Sequence, residues 1–537
     1  MDSEKHFPYL IIGAGPAGLQ MAYTLGKQGD RYLVLERSEQ PGNFFATFPR
    51  HRKLLSINKV FTGCQDLDSR LRYDWNSLLS DDEELLFSRY SRDYFPNASD
   101  LQRYLADFAS RHRLNVRCGA NVARVAKPQD RFEVQLEDGS ALTCDRLLVA
   151  TGLFKPNLPV IQGLELCEHY VDFSVDPAEF ADQKVMIIGK GNSAFETAEA
   201  LTAVTRKIQV CGPNYVRLAW VSHFVGDVRA INNNFLDTYH LKGQNNILDG
   251  EPIRVSRRDD GQLAVDVYFA SRRCTLTYEC DRVLLCTGFR FDGSIFDPSC
   301  QPDLAYGGAL PAMTSEWEST NIRDLYFLGT LMQMRDRKKT MSSFIHGFRH
   351  NLAALDQMFD RKYRGKDWQQ VSEIPLEPKA LADKVIERVS TAPAMFLQPG
   401  FLCDLLSISR EENRAFYYED MPRDYIRDTE GSRHDDFDVI SLEYGHVDGY
   451  HDPFAMPRGV GVVEDFYLHP ILRRFEGGAE AGQFFLPDDL DNDWRLIPSN
   501  REALEQYFAE RLSGRAPSAQ LSGRSYGIMT DASTDGR

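Results

Sequence analysis

Residues Tyr9-Leu10-Ile11-Ile12-Gly13-Ala14-Gly15-Pro16-Ala17-Gly18, then an amphipathic run, then Tyr32-Leu33-Val34-Leu35-Glu36-Arg37 decide the fold of this chain. The order is strand, glycine-rich turn, helix, strand, acid. Gly13 allows a tight turn, Gly15 lets the backbone approach a pyrophosphate, and Gly18 lets the helix pack closely on the strand. The phosphates meet the free N–H groups and dipole of a helix N-terminus, which opens at Pro16 and Ala17. Glu36 stands about 18 residues beyond Gly18, near the ~20 that a ribose-binding acid needs. A lone GxGxxG is weak evidence, but here the strand, the helix and the acid are all in place. Arg37, beside the acid, and Phe45, in the turn Pro41-Gly42-Asn43-Phe44-Phe45, are further cofactor-binding candidates.

Composition narrows the class. The chain has 537 residues, 42% hydrophobic and 26% charged, which suits a globular protein of two to four domains. A net charge of −16 argues against nucleic acid and anionic membrane surfaces as partners. No apolar run reaches the ~18 residues of a membrane span. The first strand begins almost at once, leaving no room for a signal peptide, and Thr534-Asp535-Gly536-Arg537 is no retention signal. Ten cysteines stand singly, without a CxxC pair, which fits a reducing compartment. The expectation is a cytoplasmic protein without a metal. His434, His446, His451 and His469 match no ligand spacing.

A second nucleotide fold begins at Lys184. Val185-Met186-Ile187-Ile188 is the strand and Gly189-Lys190-Gly191-Asn192-Ser193-Ala194 is a GxGxxA turn. A helix follows through Leu201, then the strand Lys207-Ile208-Gln209-Val210. No acid ends that strand; Cys211-Gly212-Pro213 stands there. An acid would repel the 2′-phosphate of NADP, so its absence leans towards NADPH, with NADH not excluded. Arg217 is a candidate phosphate partner and equally a plain surface arginine. The polar and aromatic segment 218–246, with His223, interrupts this fold and either lines a pocket or packs on the surface. The basic run Arg50-His51-Arg52-Lys53 is either a solvated loop or an attraction for the second nucleotide's phosphates.

The two halves repeat one plan. Each has a later strand closing on Thr-Gly, at Thr151-Gly152 and at Thr287-Gly288. An Asp138-Gly139 turn joins the two strands before Thr151. Leu325-Tyr326-Phe327-Leu328-Gly329 is a last strand, and a helix follows from Phe344. Ser99 is placed to cap a helix with an apolar face of Leu101, Tyr104, Leu105 and Phe108. Pro375 and Pro378 mark a linker, and Ser499-Asn500-Arg501-Glu502 reads as a capping box opening a final helix. The expected architecture is α/β: two Rossmann-like dinucleotide-binding domains plus a C-terminal α+β extension. The bounds are 1–180 with 290–365 for FAD, 181–289 for NAD(P)H, 366–513 for the extension and 514–537 for a disordered tail.

Two dinucleotide folds in one chain usually mean FAD in the first and NAD(P)H in the second. No redox-active thiol pair accompanies them; Cys274 and Cys280 read as unrelated thiols. Oxygen, a quinone or a diffusible molecule is then the electron acceptor. The motifs resemble the flavin-containing monooxygenase superfamily over about residues 8–350. They are more similar still to the FAD-dependent oxidoreductase domain-containing family. That likeness rests on Pro49–Leu54, Ser56–Lys59, Asp74–Asp82, Gly226–Asn233 and Phe344–Arg349, with Glu443-Tyr444-Gly445 and Leu468-His469-Pro470 extending it along the chain.

The resemblance implies NADPH reduction of FAD and a flavin 4a-hydroperoxide shielded by bound NADP⁺. The oxygen atom goes to an amine nitrogen (N-hydroxylation favoured, in natural-product biosynthesis) or to a sulfur. The partners are then a small-molecule substrate and O2, with a homodimer allowed. Asn58 resembles the asparagine that reaches flavin and nicotinamide, and Lys59, Trp75 and His223 are candidates for the same pocket. The helix after Phe344 points its N-terminus at the flavin. Two alternatives remain at this level: a flavin reductase without oxygen transfer, and a flavoprotein scaffold acting through protein partners.

Overall fold

The first strand, His6–Ile12, is buried along its second half and leads into the glycine turn, with Gly13 at φ +104°. A Cβ on Gly18 would lie 1.9 Å from the Gly13 carbonyl oxygen, so only glycine lets the Pro16–Lys27 helix sit against this turn. The computed structural model describes residues 5–241, 243–445 and 467–513. The tail at 514–537, His446 and His451 lie outside them.

A parallel array runs through Val116–Arg117, Tyr32–Leu35, His6–Ile12, Ala141–Val149 and Leu325–Phe327. The antiparallel strands Val122–Ala126 and Phe132–Leu136 complete that seven-stranded sheet. Asp138 and Gly139 make the expected turn, with Gly139 at φ +82°. A second, five-stranded parallel sheet is ordered Asn245–Asp249, Lys207–Gly212, Lys184–Ile188, Arg282–Leu285, Glu168–His169. The chain crosses between the two nucleotide folds twice, and the crossings pair side by side, Lys155 with Arg290 and Pro156 with Phe289. Asn157 and Thr287 lock them, Oγ1 of Thr287 donating to the Asn157 carbonyl at 2.6 Å.

The third unit is a six-stranded antiparallel sheet from Val371–Pro375 to Ala479–Phe485. Side chains alternate between two cores, as the strand period requires. Leu406 and Ile440 pack with Leu381, Val385 and Phe508 of the Pro378–Thr391 and Pro498–Leu512 helices. Leu405 and Val439, one residue away, belong to the same core as Tyr9, Leu352 and Phe359. The extension therefore shares the first fold's core.

Three local expectations are corrected. Asn97, not Ser99, caps the Ala98–Arg111 helix, accepting the Ser99 N–H at 3.0 Å; the helix begins one residue before Ser99. Pro375 ends a strand and Pro378 opens a helix at its first turn, where a missing N–H costs nothing, so no linker stands there. The capping box does not form, because the final helix starts at Pro498, ahead of Ser499, and Ile497 precedes it without a side-chain cap.

Gln398 stitches the extension to the loop before the Ile345–Phe359 helix. It is fully buried. Its Oε1 accepts the Met341 N–H at 2.8 Å and its Nε2 donates to Ser342 Oγ and Asn351 Oδ1 at 2.9 and 2.8 Å. Gln398→Ala strands these groups and is expected to cost about 2–4 kcal/mol, read as a fall in melting temperature. Among the described residues no helix is long and apolar enough to cross a membrane.

Candidate functional site

Both glycine turns present a cradle. A Cβ on Gly15 or on Gly191 would meet no atom within 4 Å, so each turn borders open space at that position. The flanking glycines are tight. A Cβ on Gly13 would come within 2.7 Å of the Ala150 carbonyl oxygen, and one on Gly189 within 2.1 Å of that of Cys286. Each turn is thus pressed against the strand end that closes on Thr-Gly, and Gly152 and Gly288 take positive φ of 67° and 80° beside open space. Thr151 is exposed there. Gly329, at φ +67°, lets the last strand lie on Ala17, whose Cβ would be 2.5 Å from an added one. Pro16 takes the first helical position.

Glu36 is buried at the end of its strand, where its carboxylate accepts the Ala14 N–H at 2.8 Å and the Ser38 N–H at 3.0 Å. Arg37 lies over the Phe154 ring at 4.4 Å, and Phe45 packs edge-on against Phe44. These residues suit an adenine dinucleotide: empty space at the turn, an acid at the ribose position, a helix start for the phosphates.

The second cradle differs in its charges. Arg217, the sequence candidate for the 2′-phosphate, is ion-paired with Asp227 at 3.0 Å. The cation at that end is Lys190 inside the turn. Its side chain is nearly buried, donates to the Asn214 carbonyl at 2.8 Å and pairs with Asp249. Asp249 is the register partner of Gly212, so an acid does reach that edge from the adjacent strand. Single-strand reading could not supply that neighbour.

Asn192 is committed to the insertion. It donates to the Gly226 and Asp227 carbonyls at 3.1 and 2.8 Å and accepts from the Arg229 N–H and Asn232 Nδ2 at 2.9 and 3.0 Å. Its side chain therefore positions segment 226–232; what it can offer a cofactor is its backbone. Ser193 is partly buried and Ala194 fully buried, facing the core. Asn192→Ala is expected to keep FAD and slow NADPH reduction by about tenfold or more, measured anaerobically on the flavin spectrum, since it frees the insertion.

The insertion brings its residues to the start of the Ile345–Phe359 helix. Trp75 stacks on His346 at 4.5 Å, His346 on Phe344 at 5.7 Å, and Phe224 meets Phe344 edge-on at 6.2 Å. The Arg229 guanidinium lies 5.2 Å above the Trp75 ring. Burial and the neighbouring Arg349 and Arg229 hold the His346 imidazole neutral, its pKa well below the ordinary value. Arg349 is fully buried and donates to the carbonyls of Ser77 and Leu71 at 2.7 and 2.8 Å. A helix N-terminus and two cations thus concentrate positive potential beside this stack.

Sequence spacing does not reveal Arg229, His346 or Arg349, because no periodicity joins residues 75, 229 and 346. Asn58 is buried and donates both amide hydrogens to the Ser91 and Asp93 carbonyls, at 2.8 and 3.3 Å, leaving its acceptor oxygen to offer. Lys59 is exposed beside it. His223 stacks flat on Tyr444 of the extension at 4.1 Å.

All ten cysteines are unpaired. Cys274 and Cys280 sit at opposite ends of one strand, about 20 Å apart, and cannot form a redox pair. His434 pairs with Glu430 at 3.7 Å, and His469 contacts the Tyr467 carbonyl at 2.8 Å.

A family model described as pyridine nucleotide-disulphide oxidoreductase matches residues 10–329. FAD-dependent oxidoreductase domain-containing protein 2 of Mus musculus is 38% identical over 510 residues, 88% of this chain and 76% of that one. A flavin-containing monooxygenase from Stenotrophomonas maltophilia shares the fold at TM-score 0.53 and 20% identity, over 66% of this chain and 99% of its own. The bacillithiol disulfide reductase of Staphylococcus aureus does so at 0.51 and 19%, over 67% and 99%. Both chemistries therefore occur on this fold. The paired glycine cradles, the buried Glu36 and the family model together show that this chain belongs to the FAD-dependent oxidoreductase domain-containing family, flavoprotein oxidoreductases that use FAD and a pyridine nucleotide.

Proposed function

We propose that the protein is an NADPH-dependent flavin monooxygenase that places one atom of O2 on a heteroatom of a small molecule, nitrogen before sulfur. The observation that carries it is the junction itself. The insertion that Asn192 holds against the second turn reaches the Trp75–His346–Phe344 stack through Phe224 and Arg229, and all ten cysteines are unpaired. Reduced FAD, bound along residues 13–18 and 36, supplies the oxygen-activating chemistry.

The chain's own residues do the rest. Gly191 and its neighbours hold the nicotinamide nucleotide, and Lys190, paired with Asp249, is the cation inside that turn. The aromatic stack excludes water, and neutral His346 donates or accepts one hydrogen bond without bringing charge. The start of the Ile345–Phe359 helix, with Arg349 in its first turns, would supply positive potential to a negatively charged reduced flavin. Asn58 offers its Oδ1. We assign 1–180 with 290–365 to FAD and 181–289 to NADPH. A cytoplasmic setting agrees with the unpaired thiols.

The test supplies labelled O2 with a panel of primary amines and thioethers. Label in an N- or S-oxygenated product, with less hydrogen peroxide per NADPH consumed, is the expected outcome. Fast turnover with an artificial acceptor and no label in any product contradicts the reading.

A further inference from the structure

One cavity, of about 580 Å³, lies outside both cradles. Its size is that of a small-molecule site. Asn58 and Asp74 line it and pair as a short antiparallel bridge, and Asp74 precedes Trp75 in the chain. Lys59, Arg70, Arg89 and Arg92 line it, and Asp74 is the one carboxylate among its lining residues. In a chain of net charge −16 that balance is unusual.

The charges are unevenly answered. Arg89 pairs with Glu84 at 2.8 Å, and Arg70 is spent on the Gln65 and Cys64 carbonyls at 2.9 and 3.4 Å. The Asp74 carboxylate faces its own turn, accepting the Asn76 and Ser77 N–H groups at 2.9 and 2.8 Å. Lys59 and Arg92 take part in no ion pair among the described residues. No lining residue belongs to either glycine turn or to the insertion, so the cavity is not the cleft for either dinucleotide's phosphates.

We propose that this cavity is the substrate entrance and that Lys59 and Arg92 select small molecules carrying a carboxylate. The inference rests on the proposed function only for the reacting group, an amine or thioether at the far end of the same molecule. A carboxylate held by two cations leaves the other end of the molecule free to reach the Trp75 stack, and the cationic cleft draws anions towards it.

The test uses the oxidised, FAD-loaded full chain with phenylacetate and phenylacetamide as matched probes in titration calorimetry. Phenylacetate is expected to bind about tenfold more tightly than the amide, less so at high salt. Lys59→Ala and Arg92→Ala each weaken phenylacetate by about tenfold, leave the amide unchanged and retain FAD, while Arg92→Lys restores most of the affinity. Equal affinity for the two probes, no binding of either, or a preference surviving both alanine variants overturns the proposal. NADPH and O2 take no part, so failed oxygen transfer leaves this result standing. Oxygen transfer to neutral amines without a carboxylate preference overturns this inference alone.

Discussion

Gly15→Ala is expected to fold as the parent does and to lose its flavin. The backbone at Gly15 is extended at φ −75° and ψ −176°, which alanine adopts freely, and its added methyl meets no protein atom within 4 Å. The methyl instead occupies the space the pyrophosphate needs. Losing the close approach removes two or so charge-assisted hydrogen bonds, so FAD affinity falls on the order of a hundredfold while apoprotein stability stays level. Gly191→Ala mirrors it: φ −95°, ψ −174° and open space around the methyl. That variant stays yellow and resists reduction by NADPH. Gly18→Ala is the contrast, since its methyl would sit 1.9 Å from the Gly13 carbonyl oxygen and disturb the turn itself. Flavin absorbance per protein, melting temperature and anaerobic NADPH reduction separate the three. A Gly15→Ala protein retaining parental FAD affinity contradicts the placement of the phosphates.

Truncation after residue 365 is expected to yield no folded flavoprotein. The lost segment contributes Trp368, Phe401, Leu402, Leu405, Met421 and Val439 to the core that also contains Tyr9, Leu352 and Phe359. Exposing such side chains costs roughly 1.5–3 kcal/mol each, against a total stability of about 5–15 kcal/mol. The cut also strands Arg335, which donates to Asp424 at 2.9 Å through Nε, and buried Arg72, which donates to the Ser390 and Asn492 carbonyls. The measurement is soluble yield and FAD content of the truncated chain. A soluble, yellow fragment would favour the alternative in which the extension is a separable surface for protein partners.

Where local pattern and function agree, the sequence was readable. The glycine turns, Glu36 at its strand end, the paired Thr-Gly strand ends and the helix after Phe344 follow from spacing, and each stands where spacing puts it. Caps were less legible. Asn97 and Ser99 both suit a helix start, and only the backbone shows that the helix begins at Ala98. Pro375 and Pro378 look like a break, yet one ends an edge strand and the other opens a helix. The site's charges were the hardest to read. Asp249 answers Lys190 across two parallel strands, and Asp227 claims Arg217 from within the insertion. Pairings of that kind depend on which segments become neighbours, and no periodicity records them.

The proposed function requires oxygen to be activated on the flavin beside the Trp75–His346 stack and passed to a substrate. Stopped-flow spectroscopy tests it most directly: reduce the FAD-loaded protein anaerobically with NADPH, then mix it with oxygenated buffer. A transient near-ultraviolet band, unlike that of reduced or oxidised flavin, is the expected result, and an amine or thioether substrate discharges it faster. Direct return of the oxidised flavin spectrum, with no such band and all oxygen recovered as hydrogen peroxide, would contradict it.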